Sequence, residues 1–288
     1  MTTKKKGSGF AALQRMGRSL MLPIATLPAA GLLLRLGQAD VLGADGLSKH
    51  VGWMQPVADV LAAAGGAVFD NLPLIFAVGV AVGFAKKSDG STAVAGLFGF
   101  LVFKGVLDAL AKFWGAPAGP DAKINYGVLG GIIIGITAAL LWQRFYRIKL
   151  PDWLAFFGGR RFVPIITSGA AVLIATVMGA IYPAFNWLIN EKFGGWLMHA
   201  GAHGGIGGSV AYFVYGVVNR LLIPFGLHHL WNSLPWFQLG NCQSLTKQGE
   251  TLHGDLTCFF QGTPETNAWT GNFMTGFFPI MMFALPAA

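Results

Sequence analysis

The chain has 288 residues, of which 54% are hydrophobic and only 11% are charged, and its formal net charge is +8 at pH 7. Soluble domains carry about 25% charged residues, so this composition excludes an ordinary water-soluble protein and indicates a membrane protein. The 41 glycines agree with closely packed transmembrane helices, because small residues let helix backbones approach each other. The chain carries no nucleic-acid motif, and basic loops on the cytoplasmic side of a membrane explain its positive charge better.

The N-terminal sequence MTTKKKGSGF lacks the layout of a cleaved signal peptide. The first apolar run contains Pro23 and Pro28 and ends at Arg35 without a small-residue cleavage site, which predicts a retained membrane segment. Cys242 and Cys258 lie in one polar stretch and form no CxxC pair. A disulfide between them is possible, but nothing in the sequence supports it.

Six segments are apolar over about the 20 residues that a helix needs to cross a bilayer, and a seventh begins near the end of the sequence. They are residues 20–38, 62–84, 93–111, 125–143, 163–189 and 206–239, followed by residues 272–288. The long segment 206–239 is predicted to break near Pro224 and Gly226. Residues 240–271 are too polar for lipid and are expected in a loop or packed against protein. The predicted fold is an all-α polytopic membrane bundle of about six to seven transmembrane segments.

Basic residues are distributed unequally between the two predicted sides of the membrane. If every span crosses once, one side carries Lys4, Lys5, Lys6, Arg15, Arg18, Lys86, Lys87, Arg144, Arg147, Lys149, Arg160 and Arg161. The other side has fewer basic residues, interspersed with acids. This asymmetry predicts a cytoplasmic N-terminus, with residues 1–19 as a cytoplasmic segment. The glycine pairs 79/83, 127/131 and 131/135 are typical of helix packing or dimerisation, but they do not demand a dimer.

The most unusual polar residues lie inside the sixth apolar segment. Arg220, His228, His229 and Asn232 surround a proline and a glycine that predict a broken helix. Ionisable groups at membrane depth are costly and mark ligand pathways, although Arg220 reaching an interface and histidines bonding backbone carbonyls would be an alternative. Adjacent histidines on a helix point about 100° apart and no carboxylates accompany them, so we predict no metal and no cofactor.

Two further groups each have a structural and a functional interpretation. Asn71, just before the second apolar segment, either caps a helix with Pro73 in its first turn or contacts a ligand. The cations after the fourth segment are either ordinary loop charges or a docking surface for an acidic or phosphorylated partner domain. They are Arg147, Lys149, Arg160 and Arg161.

Several long segments resemble a known family. They are, in chain order, GRSLMLPIATLPAAGLLL, FDNLPLIFAVGVAVGF, NYGVLGGIIIG, YRIKLPDWLAFFGGRRFVPI, NRLLIPFGLHHLWN and LHGDL. They look like the glucose/N-acetylglucosamine superfamily of phosphotransferase-system (PTS) enzyme IIC. The stretches LLRLGQADVL, NSLPWFQLG and MTGFFPIMMFALPAA are more similar to the N-acetylglucosamine branch, whereas the glucose branch shares PFGLHHLWN, so glucose- or maltose-type specificity stays open.

The resemblance implies a sugar permease of the bacterial inner membrane. Such a permease binds its sugar outside and moves it by an elevator-like shift against a dimer scaffold. A phosphocysteine of the IIB domain, supplied through HPr and IIA, then phosphorylates the sugar at its 6-hydroxyl. By this resemblance Arg220 and His228 are sugar ligands, and His229, Asn232 and Asn71 are further candidates. Trp231 and Trp236 are candidates for stacking on the sugar ring. The implied partners are N-acetylglucosamine or glucose, the phosphorylated IIB domain, membrane lipid and a second copy of the chain.

The chain also departs from the family pattern. Residues 20–288 resemble part of the IIC domain, and the family's TEP-E-F-type segment, its IIB cysteine motif and the IIA domain are absent. We therefore expect that Cys242 and Cys258 carry no phosphoryl group, that the sequence contains no catalytic residue, and that the chain alone neither transports nor phosphorylates. Two other interpretations remain: a membrane-integral transferase with His228 as general base, and a truncated remnant that only packs or binds sugar.

Overall fold

A computed structural model describes residues 8–38, 41–44, 46–86, 88–115, 123–188, 192, 206–222, 235–236, 241–243, 251–255 and 258. The helices are α1 (Ser8–Ala25), α2 (Leu27–Leu36), α3 (Gln55–Asp70), α4 (Leu72–Phe84), α5 (Gly90–Trp114), α6 (Gly127–Phe145), α7 (Phe162–Asn186) and α8 (Ile206–Leu222). Short 3-10 helices lie at Leu47–Lys49, Gly52–Met54, Asp152–Phe157 and Gly159–Arg161. The prediction of an all-α bundle is confirmed, with one small addition, an antiparallel hairpin of β1 (Asn241–Gln243) and β2 (Thr251–His253).

The described helices follow the predicted membrane segments in order. The single segment predicted over residues 62–84 differs, because it is divided between α3 and α4 with a break at Asn71. Four are long and apolar enough to cross a membrane: Gln14–Leu36 (α1 and α2 taken together), Gly90–Trp114, Gly127–Phe145 and Gly159–Asn186. A fifth span results if Gly52–Asp70 and Leu72–Phe84 form one bent crossing. Of the sixth predicted segment, the structure describes residues 206–222 and 235–236. The predicted break at Pro224 and Gly226 and the apolar stretch 272–288 lie outside the described residues.

The chain divides into two compact units. The first comprises Met1–Pro28, Asp70–Asn186 and Pro224–His229, and the second comprises Ala29–Phe69, Trp187–Ile223 and Leu230–Ala288. The first unit therefore contains α1 and α4 to α7. The second unit contains most of α2 and α3, together with α8 and the β-hairpin.

Close backbone packing in the first unit depends on the predicted small-residue pairs. Gly79 and Gly83 of α4 lie against α1, and Gly131 and Gly135 of α6 lie against α4. A Cβ atom added to Gly135 would lie only 2.7 Å from the carbonyl oxygen of Ala77. Any larger residue at these positions would push the helices apart. The prediction that these glycines serve helix packing is thus confirmed within the chain.

An aromatic cluster joins α6 and α7 at the end of the first unit where α6 begins. The Tyr126 hydroxyl donates a hydrogen bond of 2.7 Å to the carbonyl oxygen of Met178. Its ring packs edge-on against Tyr182, with ring centroids 5.3 Å apart, and also against Phe185. The buried hydroxyl is satisfied by the partner helix, so this contact fixes how the two helices align.

A disulfide closes the hairpin region of the second unit. Cys242 on β1 is bonded to Cys258, with Cα atoms 5.7 Å apart and a sequence separation of 16. Cys242 also pairs with Leu252 across the hairpin. The structure thus contains the cysteine pairing that the sequence left open, and it leaves no free thiol among the described residues.

Candidate functional site

Helix α8 carries the first of the predicted sugar ligands. Arg220 lies in the last turn of α8 and is exposed. It shares its side of the helix with Val217 and with Phe213, which is 69% exposed, because residues three and seven apart lie on one helical face. His228, His229 and Asn232, predicted to act with Arg220, lie outside the described residues. Their convergence on one sugar stays a prediction.

The other side of α8 contributes to what we call the buried polar cluster, made of Tyr215, Asn219, Trp236 and Asp255. Tyr215 and Asn219 are one helical turn apart, and both are buried. Tyr215 interacts with the side chain of Trp236 and with the charge of Asp255, which is fully buried. All four residues belong to the second unit. The cluster thus brings a buried carboxyl group of the polar stretch 240–271 to the buried side of α8.

Asn219 is the least satisfied member of the buried polar cluster. It is 6% exposed, and its Oδ1 atom accepts no hydrogen bond from the part of the chain that the structure describes. Leaving a buried acceptor unpaired costs about 1–3 kcal/mol, so such an atom in a native protein needs an explanation. A hydrogen-bond donor on a bound ligand would provide one, because an asparagine Oδ1 has two lone pairs to offer.

Sequence reasoning missed three members of this cluster as functional residues. Asn219 and Asp255 lie inside the motifs NRLLIPFGLHHLWN and LHGDL, but sugar binding was predicted for Arg220, His228, His229 and Asn232 and not for these two residues. A usable signal was the spacing of Tyr215 and Asn219, which is one helical turn in an otherwise apolar segment. Trp236, predicted to stack on a sugar, is 4% exposed and already engages Tyr215. Because so little of its surface is exposed, a sugar could stack on its ring only after the surrounding residues moved.

Asn71 lies at the start of α4, where the sequence predicts either a cap or a ligand contact. It occupies the N-cap position and Pro73 lies in the first turn, as predicted. The Asn71 side chain makes no capping hydrogen bond to that turn, so the expected capping bond is wrong. The side chain is exposed, and its contact with a ligand stays a prediction.

The four predicted docking cations occur together in the loop between α6 and α7, and all are exposed. Arg160 forms an ion pair with Asp89, with Nη1 and Oδ2 2.9 Å apart. The Arg161 guanidinium lies 4.8 Å from the centre of the Phe156 ring. Arg147 similarly lies 4.9 Å from the centre of the Tyr146 ring, and Lys149 follows it closely in sequence.

Asp89 connects this loop to the start of α5. Its carboxylate accepts a hydrogen bond from the backbone N–H of Ser91, and the Thr92 hydroxyl accepts one from the backbone N–H of Asp89, which forms a capping box. Hydrogen bonding from Ser91 and then the charge of Arg160 hold the pKa of Asp89 below its usual value of 3.8. The Trp142 indole N–H donates to the Ser91 hydroxyl, which also brings the end of α6 to this point.

Contacts within the first unit bring two of the predicted cytoplasmic cations, Arg15 and Arg160, to one end of it. The Arg160–Asp89 ion pair joins the loop before α7 to the start of α5. The Arg15 guanidinium lies 5.8 Å from the centre of the Phe84 ring, near the end of α4. The orientation of the N-terminus stays a prediction.

The described residues contain no group of three or more histidine, cysteine, aspartate or glutamate side chains that could hold a metal ion. In the second unit, the described polar groups are the exposed Arg220 of α8 and the buried polar cluster, and such groups can hydrogen-bond a polar solute. In the first unit, the basic loop between α6 and α7 can attract an anion.

The long apolar helices define a polytopic helical membrane protein. Residues 17–288 match the model of the family described as "Phosphotransferase system, EIIC". The chain therefore belongs to the EIIC family of the phosphotransferase system.

Three curated relatives match over nearly all of the chain. It is 48% identical over 290 residues to the "PTS system N-acetylglucosamine-specific EIIC component" of Streptomyces coelicolor, covering 99% of this chain and 65% of that protein. It is 42% identical over 275 residues to the "PTS system N-acetylglucosamine-specific EIICBA component" of Escherichia coli K12, covering 96% of this chain and 37% of that protein. It is 42% identical over 276 residues to the "PTS system N-acetylglucosamine-specific EIICB component" of Bacillus subtilis 168, covering 96% of this chain and 52% of that protein. The chain thus spans between about a third and two thirds of the length of these relatives.

Proposed function

We propose that this chain is part of a phosphotransferase-system permease that takes up N-acetylglucosamine and delivers it for phosphorylation. The observation that carries this proposal is the 42–48% identity over 96–99% of the chain to three relatives whose names all specify N-acetylglucosamine. A likeness over this length includes the apolar spans and the polar motif around Arg220, and does not depend on one short motif.

Most residues of the proposed sugar site come from the second half of the chain. Arg220 and His228 are its principal ligands, and His229, Asn232 and Asn71 are further candidates. Asn219 is added to this set because its buried Oδ1 can accept a hydrogen bond from a sugar hydroxyl or an acetamido N–H. Polar side chains at membrane depth cost free energy, and hydrogen bonds to a bound polar solute would offset that cost.

The proposed phosphorylation step uses a phosphocysteine of a IIB domain. The sugar 6-oxygen attacks the phosphorus, the P–S bond breaks to release the cysteine thiolate, and the 6-hydroxyl proton passes to that thiolate or to water. The residues of the chain orient the sugar in this step. That Arg147, Lys149, Arg160 and Arg161 dock the phosphorylated IIB domain stays a prediction, because the exposed aromatic rings beside them fit a lipid surface better than a phosphorylated protein. Arg160 is the weakest of them, because it is already paired with Asp89.

The proposed topology puts the N-terminus in the cytoplasm. Its support is the shared position of Arg15, Arg160 and their neighbouring cations at one end of the first unit. The proposed assembly in the bacterial inner membrane is a homodimer. The glycine pairs that could have served dimerisation are occupied by contacts within the chain, so the dimer contact must use other surfaces.

The proposal is tested by uptake into a bacterium that lacks its own hexose permeases. The chain is completed with the remaining part of the Streptomyces coelicolor relative and expressed with the soluble phosphotransferase components. We expect labelled N-acetylglucosamine to accumulate as its 6-phosphate, and glucose to accumulate at least about tenfold more slowly, a difference of about 1.4 kcal/mol. The intact relative is the positive control. Membrane-inserted protein that accumulates neither sugar would contradict the proposal.

A further inference from the structure

The loop between α6 and α7, residues 146–161, exposes large aromatic side chains. Trp153 is 81% exposed, Phe156 is 70% exposed and Phe157 is 42% exposed. They belong to one 3-10 helix, Asp152–Phe157, in which no residue is buried. Exposed apolar patches of this kind mark surfaces that contact another apolar phase.

Cations surround these rings. The loop contains Arg147, Lys149, Arg160 and Arg161 but only one acidic residue, Asp152. Arg161 lies over the Phe156 ring and donates a hydrogen bond of 3.3 Å to the carbonyl oxygen of Phe156, so one ring and one charge are held as a unit. The loop therefore presents apolar rings and positive charge on the same short segment.

The neighbours of the loop indicate where it lies relative to the membrane. The helix before it, Gly127–Phe145, and the helix after it, Gly159–Asn186, are both long and apolar enough to cross a membrane. A loop between two crossings begins and ends near the boundary between acyl chains and headgroups. Aromatic rings beside lysine and arginine are typical of segments that lie in this boundary.

We propose that residues 146–161 form a binding site for anionic phospholipid. Trp153 and Phe156 insert among the upper acyl chains, and Arg147, Lys149 and Arg161 contact the headgroup phosphates. Arg160 is occupied by Asp89, and it holds the loop against the start of α5. A phosphorylated protein on this surface would pair with the cations but would not by itself bury the aromatic rings. An anionic bilayer can do both, because its headgroups pair with the cations and its acyl chains surround the rings.

The test measures quenching of tryptophan fluorescence by brominated lipids in nanodiscs that hold the 288-residue chain. The nanodiscs contain phosphatidylglycerol and phosphatidylcholine, and either one or the other is brominated near the top of its acyl chains. The signal of Trp153 is the difference between wild type and Trp153→Phe. We expect brominated phosphatidylglycerol to quench that signal at least about twofold more than brominated phosphatidylcholine, since cations enrich anionic lipid around them. Equal quenching by the two lipids, or no quenching, would overturn the proposal.

Substitutions test whether the cations of the loop cause the preference for phosphatidylglycerol. The triple change Arg147→Gln, Lys149→Gln and Arg161→Gln is expected to equalise the two lipids, and helix content by circular dichroism checks its folding. The matched control is Lys112→Gln with Phe113→Leu, a cation 5.1 Å from an exposed ring at the other end of α5. It is expected to leave the preference of Trp153 unchanged. If the triple variant does not fold, the comparison of the two lipids with wild-type protein still tests the proposal.

Two additions separate other sources of phosphate. Inorganic phosphate at constant ionic strength should not remove the preference for phosphatidylglycerol; removal would show a general phosphate site and overturn the lipid assignment. Purified phosphorylated IIB domain is then added to nanodiscs of each composition. If it alone shields Trp153 from acrylamide, and lipid composition has no effect, the surface is a protein-docking site and the proposal is wrong.

Discussion

The two units bury polar groups in different ways. In the first unit, two buried helical residues bond within their own helix: Thr167 donates to the carbonyl oxygen of Val163, and Ser19 donates to that of Met16. In the second unit, the buried polar cluster joins Tyr215 and Asn219 of α8 to Trp236 and Asp255, far away in sequence. Hydroxyls that return to their own helix make few demands on tertiary structure. The buried polar cluster depends instead on residues that only tertiary structure brings together, and the unpaired amide oxygen of Asn219 costs stability.

The largest expected effect of a single substitution lies in the close packing of the first unit. Gly131→Ala would place a Cβ atom against the carbonyl oxygen of Pro73, which is backbone and cannot move aside. We expect a loss of at least about 3 kcal/mol of stability, or failure to fold. The measurement is the yield and thermal unfolding of purified protein. Gly105→Ala is the matched control, because a Cβ atom on this helical glycine meets open space; an equal loss in both variants would contradict the packing account.

The close-packed part of the fold was largely predictable from sequence. Apolar length fixes a membrane-spanning helix, and the spacing of Gly131 and Gly135 indicates a helix–helix contact without saying which helix is the partner. The break at Thr26 between α1 and α2 was not predicted. Pro28 was a signal for it, because proline lacks the N–H that a continuous helix would need at that position. It also could not predict the disulfide or the β-hairpin, because these depend on residues brought together by tertiary structure.

Removal of the disulfide is expected to cause the next largest loss of stability. Replacing Cys242 and Cys258 with serine releases a loop closed over 16 residues, for which chain entropy predicts a loss of up to about 3 kcal/mol in the hairpin region. The measurement is limited proteolysis between residues 242 and 258, together with thermal unfolding. Wild-type protein under reducing conditions is the matched control and should behave like the double variant. Resistance to proteolysis that is the same with and without the bond would argue against this role.

Asn219 offers the sharpest contrast between stability and binding. Asn219→Leu removes the unpaired amide while keeping a similar volume, so we expect the ligand-free protein to gain about 1 kcal/mol of stability. We expect its affinity for N-acetylglucosamine to fall about tenfold. Thermal unfolding and sugar binding are measured on the same preparations. Thr167→Val, in the first unit, is the control and should leave sugar affinity unchanged. Lower stability with normal affinity would mean that Asn219 is a packing residue.

The smallest expected effect concerns Asp89 and pH. The pKa of Asp89 is lowered in the folded protein, so its charged form stabilises the fold above about pH 3.8, and this contribution is lost as the pH falls through the lower, folded-state pKa. Asp89→Ala should cost about 1 kcal/mol at neutral pH, mostly through the lost cap, because Arg160 is largely exposed and its ion pair is weak. Asp89→Asn keeps a capping oxygen and should recover most of that loss.

The measurement for Asp89 is thermal unfolding from about pH 7 down to about pH 3. The difference between wild type and Asp89→Ala should shrink toward the acid end. A difference that stays constant over this range would show that the charge of Asp89 contributes nothing.

The candidate site was only partly predictable. Arg220 and His228 stand out because charged groups are rare in apolar segments, and that argument needs no structure. Asp255 does not stand out, because its interaction with Tyr215 joins positions 40 residues apart, and only folding brings them together. The sequence likewise could not indicate that Arg160 is already paired with Asp89, which changes its value as a docking residue.

Equilibrium binding of labelled N-acetylglucosamine to the protein completed with the Streptomyces coelicolor part tests the central claim most directly. We predict that unlabelled N-acetylglucosamine displaces the label at a concentration about tenfold lower than glucose does. We also predict that Arg220→Gln and His228→Ala each weaken binding at least about tenfold, while Thr167→Val binds like the wild type. Folded protein that binds no N-acetylglucosamine, or variants at Arg220 and His228 that bind as well as the wild type, would contradict the account.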